Sequence, residues 1–248
     1  MQSKSIKAYS EIFGDDIEVV SYGHYGTALL MFPAFTDDPL VYEKHGTIDA
    51  VSDYLESGRG RIFVVRSFNT QIWSSDKYKT PQEKCQKFQD YFSAITEEVI
   101  PFLNQSSAGG IPFIACGASI GGFLAANSFF KRPDCFIGLI SLSGFFNIGY
   151  LTHDYFDDNC YFNSPEHFIP NLPEGNFWLN ALREKDRIFL LSGSGENEFP
   201  HNTESLSKEL TEKNINHTCD IWGNEYGHNF ATWNAMLKTI LQTKNIIN

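Results

Sequence analysis

The stretch Ile111-Pro-Phe-Ile-Ala-Cys-Gly-Ala-Ser-Ile-Gly-Gly-Phe-Leu-Ala-Ala-Asn127 decides the fold of this chain. It predicts a short buried strand, a turn of the form G-x-S-x-G at residues 117–121, and then a helix. The residue at the tip of such a turn is forced into an unfavourable backbone conformation, so its side chain stands clear of the sheet. Gly117 and Gly121 lack a Cβ atom, which lets the strand and the helix approach closely around Ser119. The pattern predicts that Ser119 is a nucleophile.

The rest of the chain alternates between strand-like and helix-like segments, which is typical of a mostly parallel sheet covered by helices on both faces. The predicted strands are 17–22, 28–32, 61–68, 136–142, 187–191 and 217–222, and the predicted helices are 48–55, 81–103, 203–213 and 231–241, with Pro101 expected to kink or end the second helix. An irregular, aromatic-rich excursion occupies residues 145–186. Ser119 therefore follows a strand near the middle of the sheet. It lies at the carboxyl ends of the strands, where such sheets bind ligands.

Composition limits the class of protein. The chain has 248 residues, of which 42% are hydrophobic, and it contains no linker or repeat, so residues 1–248 are expected to form a single α/β domain. A formal net charge of −11 argues against nucleic acid and anionic membranes as partners. No prediction of oligomeric state follows from these numbers.

The cysteines and the N-terminus bear on the compartment. The five cysteines are scattered, odd in number and free of any C-x-x-C pair, which indicates free thiols in a reducing environment. The first ten residues have no apolar core of a secretory signal, and no segment has the length of a membrane span. The sequence thus predicts a cytoplasmic protein.

A serine hydroxyl needs a neighbouring base, and in this topology the base follows the last strand. His228 lies there, in a glycine-flanked loop before the final helix. The carboxylate that orients the imidazole should follow strand 187–191, where the loop Ser192-Gly-Ser-Gly-Glu196-Asn-Glu198-Phe-Pro200 offers two candidates. Glu198 is favoured, because Pro200 stiffens the loop beside it, while Glu196 and Glu225 stay open as alternatives.

Acyl transfer also needs two donors for the oxyanion. The backbone N–H of Ile120, at the start of the helix, is the first candidate. The second should come from the loop after strand 28–32, and it is assigned to Phe35, with Ala34 next to it.

Together these residues resemble the α/β-hydrolase superfamily, in particular the putative-esterase group with its esterase D-like and antigen 85-like proteins. The local matches are Met31-Phe-Pro33, residues 117–122, Ser141-Leu-Ser-Gly144, Cys160-Tyr-Phe-Asn-Ser-Pro165, and the segment from Ile221 through Gly227-His228-Asn-Phe to Trp233. The group's Gly-x-Gly-x-x-Glu run fits residues 193–198 and is the main reason for choosing Glu198. The chain departs from the group at Asn229 and Phe230, where His-Asp-Trp is usual, and in having Glu where the acid is often Asp.

The resemblance implies an α/β-hydrolase fold and a serine esterase that acts on a small-molecule ester through Ser119, His228 and Glu198, without a metal or cofactor. Acyl transfer or thioester hydrolysis on the same triad is the alternative within enzymes, and a non-catalytic binding protein on the same scaffold is the alternative outside them. Part of the excursion 145–186 is expected to form the acyl-binding wall, with Phe146 and Tyr155 as test positions.

Overall fold

A computed structural model describes residues 3–105, 110–153 and 155–243 of the chain. Residues 1–2 and 244–248, at the ends of the predicted domain, lie outside the described residues, as does Asp154 within the excursion. None of the described helices is long and apolar enough to cross a membrane.

One eight-stranded sheet organises the described residues, in the order β1-β2-β4-β3-β5-β6-β7-β8. β1 and β2, and likewise β2 and β4, pair antiparallel, and the remaining neighbours pair parallel. The strands are β1 (Lys4–Ser10), β2 (Asp15–Tyr22), β3 (Thr27–Phe32), β4 (Gly60–Val65), β5 (Phe113–Ala118), β6 (Gly138–Leu142), β7 (Arg187–Ser192) and β8 (Thr218–Ile221). The strand β5, which leads to Ser119, is thus interior in the sheet.

Helices cover both faces, as the continuous apolar runs of β3, β5 and β6 require. The helices are α1 (Val41–Lys44), α2 (Thr47–Ala50), α3 (Ser52–Glu56), α4 (Pro81–Ala94), α5 (Ile100–Gln105), α6 (Ile120–Lys131), α7 (Gly149–Thr152), α8 (Asp158–Phe162), α9 (Pro165–Phe168), α10 (Phe177–Arg183), α11 (Pro200–Glu212) and α12 (Phe230–Thr243). On one face α4, α6 and α11 pack over Leu30 and its neighbours. On the other, α2, α3 and α12 pack over Leu29 and Met31. The alternation of Leu29, Leu30 and Met31 between two cores is the period-2 pattern of a strand buried on both sides.

The predicted order of strands and helices is present, and the differences lie at the ends of elements and inside two of the helices. The helix predicted over 48–55 is split at Val51 into α2 and α3, and the strand predicted over 61–68 ends at Val65. The helix predicted over 81–103 contains a π-helical turn at Ile95–Val99 and continues to Gln105. Pro101 does not end it, because the wider turn just before Pro101 already interrupts the regular hydrogen-bond ladder.

Two regions differ more. The sequence did not predict β1, the antiparallel edge strand, whose residues are mostly exposed and therefore show no alternation of apolar and polar side chains. The excursion 145–186 contains four short helices, α7 to α10, and packs its buried side chains into the same core as α4 and α6.

Candidate active site

Ser119 stands between the end of β5 and the first residue of α6, with φ +56°. This is a costly conformation for a residue with a Cβ atom. The turn is tight: a Cβ on Gly117 would lie 2.2 Å from the Gly121 carbonyl oxygen, and one on Gly121 would lie 2.2 Å from the Phe32 carbonyl oxygen. Only 8% of Ser119 is exposed, yet the residue lines an open cavity that gives access to it.

His228 lies in the loop between β8 and α12 and faces Ser119. Its Nε2 atom is 2.9 Å from Ser119 Oγ, and its Nδ1 atom is 3.3 Å from Glu198 Oε2. The backbone holds this loop against the loop that follows β7: the His228 N–H donates to the Glu196 carbonyl over 2.9 Å, and the Gly195 N–H donates to the Tyr226 carbonyl over 2.9 Å. The imidazole is thereby placed between a hydroxyl and a carboxylate.

Glu198 is the carboxylate that meets the imidazole, whereas Glu196 and Glu225 are exposed residues. Its side chain is 1% exposed and accepts hydrogen bonds from the hydroxyl groups of Ser143, over 2.6 Å, and Ser192, over 3.1 Å. Burial acts to raise the pKa of Glu198, but the hydrogen bonds from His228 and Ser143 outweigh it and hold the pKa below its ordinary value. The carboxylate is thus kept ionised beside the imidazole.

Ser143 is a site residue that sequence reasoning did not single out. It follows β6, the strand between β5 and β7, and has φ +49°. Its hydroxyl oxygen accepts a hydrogen bond from Trp233 Nε1 over 3.0 Å, so the hydroxyl hydrogen is directed to Glu198. The segment Ser141-Leu-Ser-Gly144 could have indicated Ser143, because it follows a strand and the carboxyl ends of neighbouring parallel strands lie side by side.

The two main-chain groups expected to hold an oxyanion lie just after the ends of two adjacent strands, β3 and β5. Ile120 is the first residue of α6, where N–H groups have no partner within the helix. Phe35 follows β3, the neighbour of β5, and has φ +62°. Its side chain is 59% exposed, and its ring centroid is 5.7 Å from that of His228. The adjacent Ala34 is fully buried.

A cavity of about 540 Å³ opens over Ser119 and His228. The excursion contributes Phe145 and Tyr150 to its lining, and the loop after β7 and the start of α11 contribute Asn197, Phe199, His201 and Asn202. The sequence predicted Phe146 and Tyr155 in the acyl-binding wall, and neither lines this cavity. Phe146 is buried in the core, and Tyr155 lies outside the cavity lining, with its hydroxyl 3.1 Å from Asp157 Oδ2.

Away from this cavity, the described residues contain a group of potential metal ligands at Cys85, Asp157 and Cys160. The two sulfur atoms are 3.3 Å apart. Burial raises the pKa of both thiols, and the thiolate is the form that binds metal ions. Cys85 and Cys160 are both buried, and their thiols pack against each other.

Comparison with known proteins agrees with this fold. The family model described as "Putative esterase" matches residues 41–243. No curated protein sequence matches significantly. Among solved structures, a ferulic acid esterase of Anaeromyces mucronatus is 13% identical, with a TM-score of 0.70 over 98% of this chain and 90% of that one. The S-formylglutathione hydrolase FrmB of Staphylococcus aureus is 14% identical, with a TM-score of 0.65 over 97% and 94%. MPT51 of Mycobacterium tuberculosis is 16% identical, with a TM-score of 0.66 over 97% of both chains.

Proposed function

The chain belongs to the putative-esterase family and has the α/β-hydrolase fold, and from this premise we propose that it is a serine carboxylic-ester hydrolase with the triad Ser119, His228 and Glu198. The observation that carries the proposal is the continuous contact from Ser119 Oγ to His228 Nε2 and from His228 Nδ1 to Glu198 Oε2. A serine without a base in this position is a poor nucleophile at neutral pH.

Each group has one role in the proposed reaction. His228 accepts the proton of Ser119 as the hydroxyl oxygen attacks the ester carbonyl, and it then donates that proton to the leaving alcohol. Water, deprotonated by the same imidazole, releases the acid from the acyl-enzyme. Glu198 remains ionised and stabilises the imidazolium, which agrees with its lowered pKa.

The oxyanion is assigned to the backbone N–H groups of Ile120 and Phe35. Ile120 adds the positive end of the α6 dipole, and the ring of Phe35 lies beside His228. Such donors act on the charge that develops in the transition state, and removing one costs about 3–4 kcal/mol.

The cavity supports a small ester as the substrate. Its volume of about 540 Å³ and its partly aromatic lining suit an acyl or alkyl group of modest size. Structural neighbours carry the names ferulic acid esterase and S-formylglutathione hydrolase, so both oxygen esters and thioesters belong in the substrate screen.

The decisive experiment compares the wild type with Ser119→Ala on p-nitrophenyl acetate. Loss of the nucleophile should lower kcat by up to about a millionfold, whereas the exposed Ser74 provides a matched Ser→Ala control without effect. A fluorophosphonate should label Ser119 alone, as located by peptide mapping. Equal rates for the wild type and Ser119→Ala would contradict hydrolysis and favour a binding protein on this scaffold. Matched acetate and thioacetate substrates would then separate ester from thioester hydrolysis.

A further inference from the structure

A second cavity, of about 500 Å³, lies at the far end of α6 from Ser119. The helix rises about 1.5 Å per residue, so Lys131 at its last position is about 18 Å along the axis from Ser119. We call this cavity the Lys131 groove. Its aromatic wall comes from α6, α8, α9 and α10 and consists of Phe130, Tyr161, Phe162, Phe168 and Trp178. Phe162 is 55% exposed, so part of this wall faces solvent.

The amine of Lys131 lies at the edge of this wall without a counter-ion. Its Nζ atom donates to Gln89 Oε1 and, over 2.8 Å, to Asn163 Oδ1, and it lies 4.9 Å from the centroid of the Phe92 ring. All three neighbours are uncharged, and no carboxylate among the described residues forms an ion pair with it. Burial lowers the pKa of Lys131 to about 7, so the amine is partly desolvated.

The groups around the amine are themselves fixed. Asn163 is fully buried, and its Nδ2 donates to the Asn159 carbonyl over 2.8 Å and to Gln89 Oε1 over 3.4 Å. A long, flexible amine in this position lowers the stability of the fold unless something compensates its desolvated charge. Within the described part of the chain, that compensation comes from amide oxygens alone.

A smaller pocket of about 140 Å³ shares Gln89 and Lys131 with the groove, and its lining also includes Glu97 and Arg132. Ser128, which is 1% exposed, also lines this pocket, and its hydroxyl oxygen has no hydrogen-bond partner among the described residues. Buried hydroxyl groups are nearly always paired.

From these contacts we propose that the Lys131 groove binds a small hydrophobic carboxylate, with its carboxylate on Lys131 Nζ and its hydrocarbon part on the aromatic wall. A carboxylate beside Lys131 Nζ stabilises the protonated form of the amine, and the mostly aromatic wall selects an apolar body. The net charge of −11 repels anions at long range, so the affinity must come from these contacts. The inference does not rest on the proposed ester hydrolysis, because the groove is remote from Ser119.

The test is isothermal titration calorimetry with 3-phenylpropanoate and its uncharged analogue 3-phenylpropanamide. The wild type should bind the carboxylate with a dissociation constant of about 1 mM or tighter. Lys131→Met, which keeps most of the apolar stem, should weaken binding at least about tenfold, and Trp178→Ala should weaken it several-fold. The amide should bind the wild type at least about tenfold more weakly than the carboxylate does, a comparison that uses the wild type alone and so holds even if a variant folds poorly.

Two controls separate this site from the cavity over Ser119. Tyr150→Ala, in the wall of that cavity, should leave the affinity for 3-phenylpropanoate unchanged, and Ser119→Ala should bind it as tightly as the wild type. Lys131→Met should leave p-nitrophenyl acetate hydrolysis unchanged. Equal affinity of the wild type and Lys131→Met, loss of binding in Tyr150→Ala, or no measurable binding at about 5 mM ligand would each overturn the proposal.

Discussion

Replacing Glu198 with Gln tests the proposed triad most sharply, because it removes a charge and adds no volume. In the structure one carboxylate oxygen faces His228 Nδ1 and the other accepts from Ser143, inside a site where the side chain is 1% exposed. An amide NH₂ turned to the imidazole would favour the tautomer that cannot accept the Ser119 proton. An amide turned the other way would face the Ser143 hydroxyl and still lack the charge that stabilises imidazolium.

The expected loss follows from both effects. A carboxylate-to-amide change in a Ser-His-Asp triad lowers kcat about 10⁴-fold, and we expect a loss of about that size for Glu198→Gln, which corresponds to about 5.4 kcal/mol. Initial rates of p-nitrophenyl acetate hydrolysis measure it, and KM should change little. Glu196→Gln is the matched control, since the residue is exposed and its contact with the His228 loop is made by its backbone carbonyl, which the substitution keeps. A loss below tenfold for Glu198→Gln, or an equal loss for Glu196→Gln, would refute the assignment of the acid.

The stability difference between the wild type and Glu198→Gln should depend on pH. The pKa of Glu198 in the folded protein lies below the ordinary value of 4.5, so its charge contributes stability that is fully present above about pH 4.5. This contribution is lost as the pH falls through the lowered pKa. The difference in melting temperature between the wild type and Glu198→Gln should therefore shrink below pH 4.5, and a difference that widens there would contradict the lowered pKa.

Three further substitutions test the turn, the carboxylate's support and the cavity. Gly121→Ala places a Cβ 2.2 Å from the Phe32 carbonyl oxygen and should lower the melting temperature sharply or prevent folding, whereas Gly110→Ala, with nothing within 4 Å, should not, as thermal denaturation will show. Ser143→Ala removes one hydrogen bond to Glu198 and should lower kcat/KM about tenfold with an unchanged KM, which an unchanged kcat/KM would contradict. Tyr150→Ala enlarges the cavity over the nucleophile and should shift the preferred acyl length of p-nitrophenyl esters upward, and an identical chain-length profile would exclude it from the acyl wall.

The parts of the fold that the sequence predicted are those with a strong local signal. The strands β3, β5 and β6 are continuous apolar runs, and the turn at Ser119 combines two glycines with a buried strand before it and a helix after it. The edge strand β1 had no such signal, because its residues face solvent on both sides. The π-helical turn at Ile95–Val99 also had no local signal in the sequence, since such a turn keeps the helical spacing of apolar residues nearly intact.

The site residues divide in the same way. Ser119 and His228 were predicted from where each stands in the chain relative to the strands. Such a position can be read from the sequence for each residue by itself. Ser143 and Lys131 acquire their significance only from partners distant in the chain, 55 residues away at Glu198 and 42 residues away at Gln89. A single sequence carries no record of such pairs, so their contacts emerge only from the folded arrangement.

The meeting of His228 with Glu198 depends on the same kind of long-range contact. The two loops that carry them approach so closely that a Cβ on Gly193 would lie 2.0 Å from the Tyr226 carbonyl oxygen, and one on Gly195 would lie 2.5 Å from the Asn224 carbonyl oxygen. Gly193 and Gly195 are therefore required because the loop that carries His228 packs directly over them, in addition to any turn they form locally. This explains why a glycine-rich run precedes the acid: it sets how near the carboxylate can come to the imidazole, and the longer Glu side chain then spans the remaining distance.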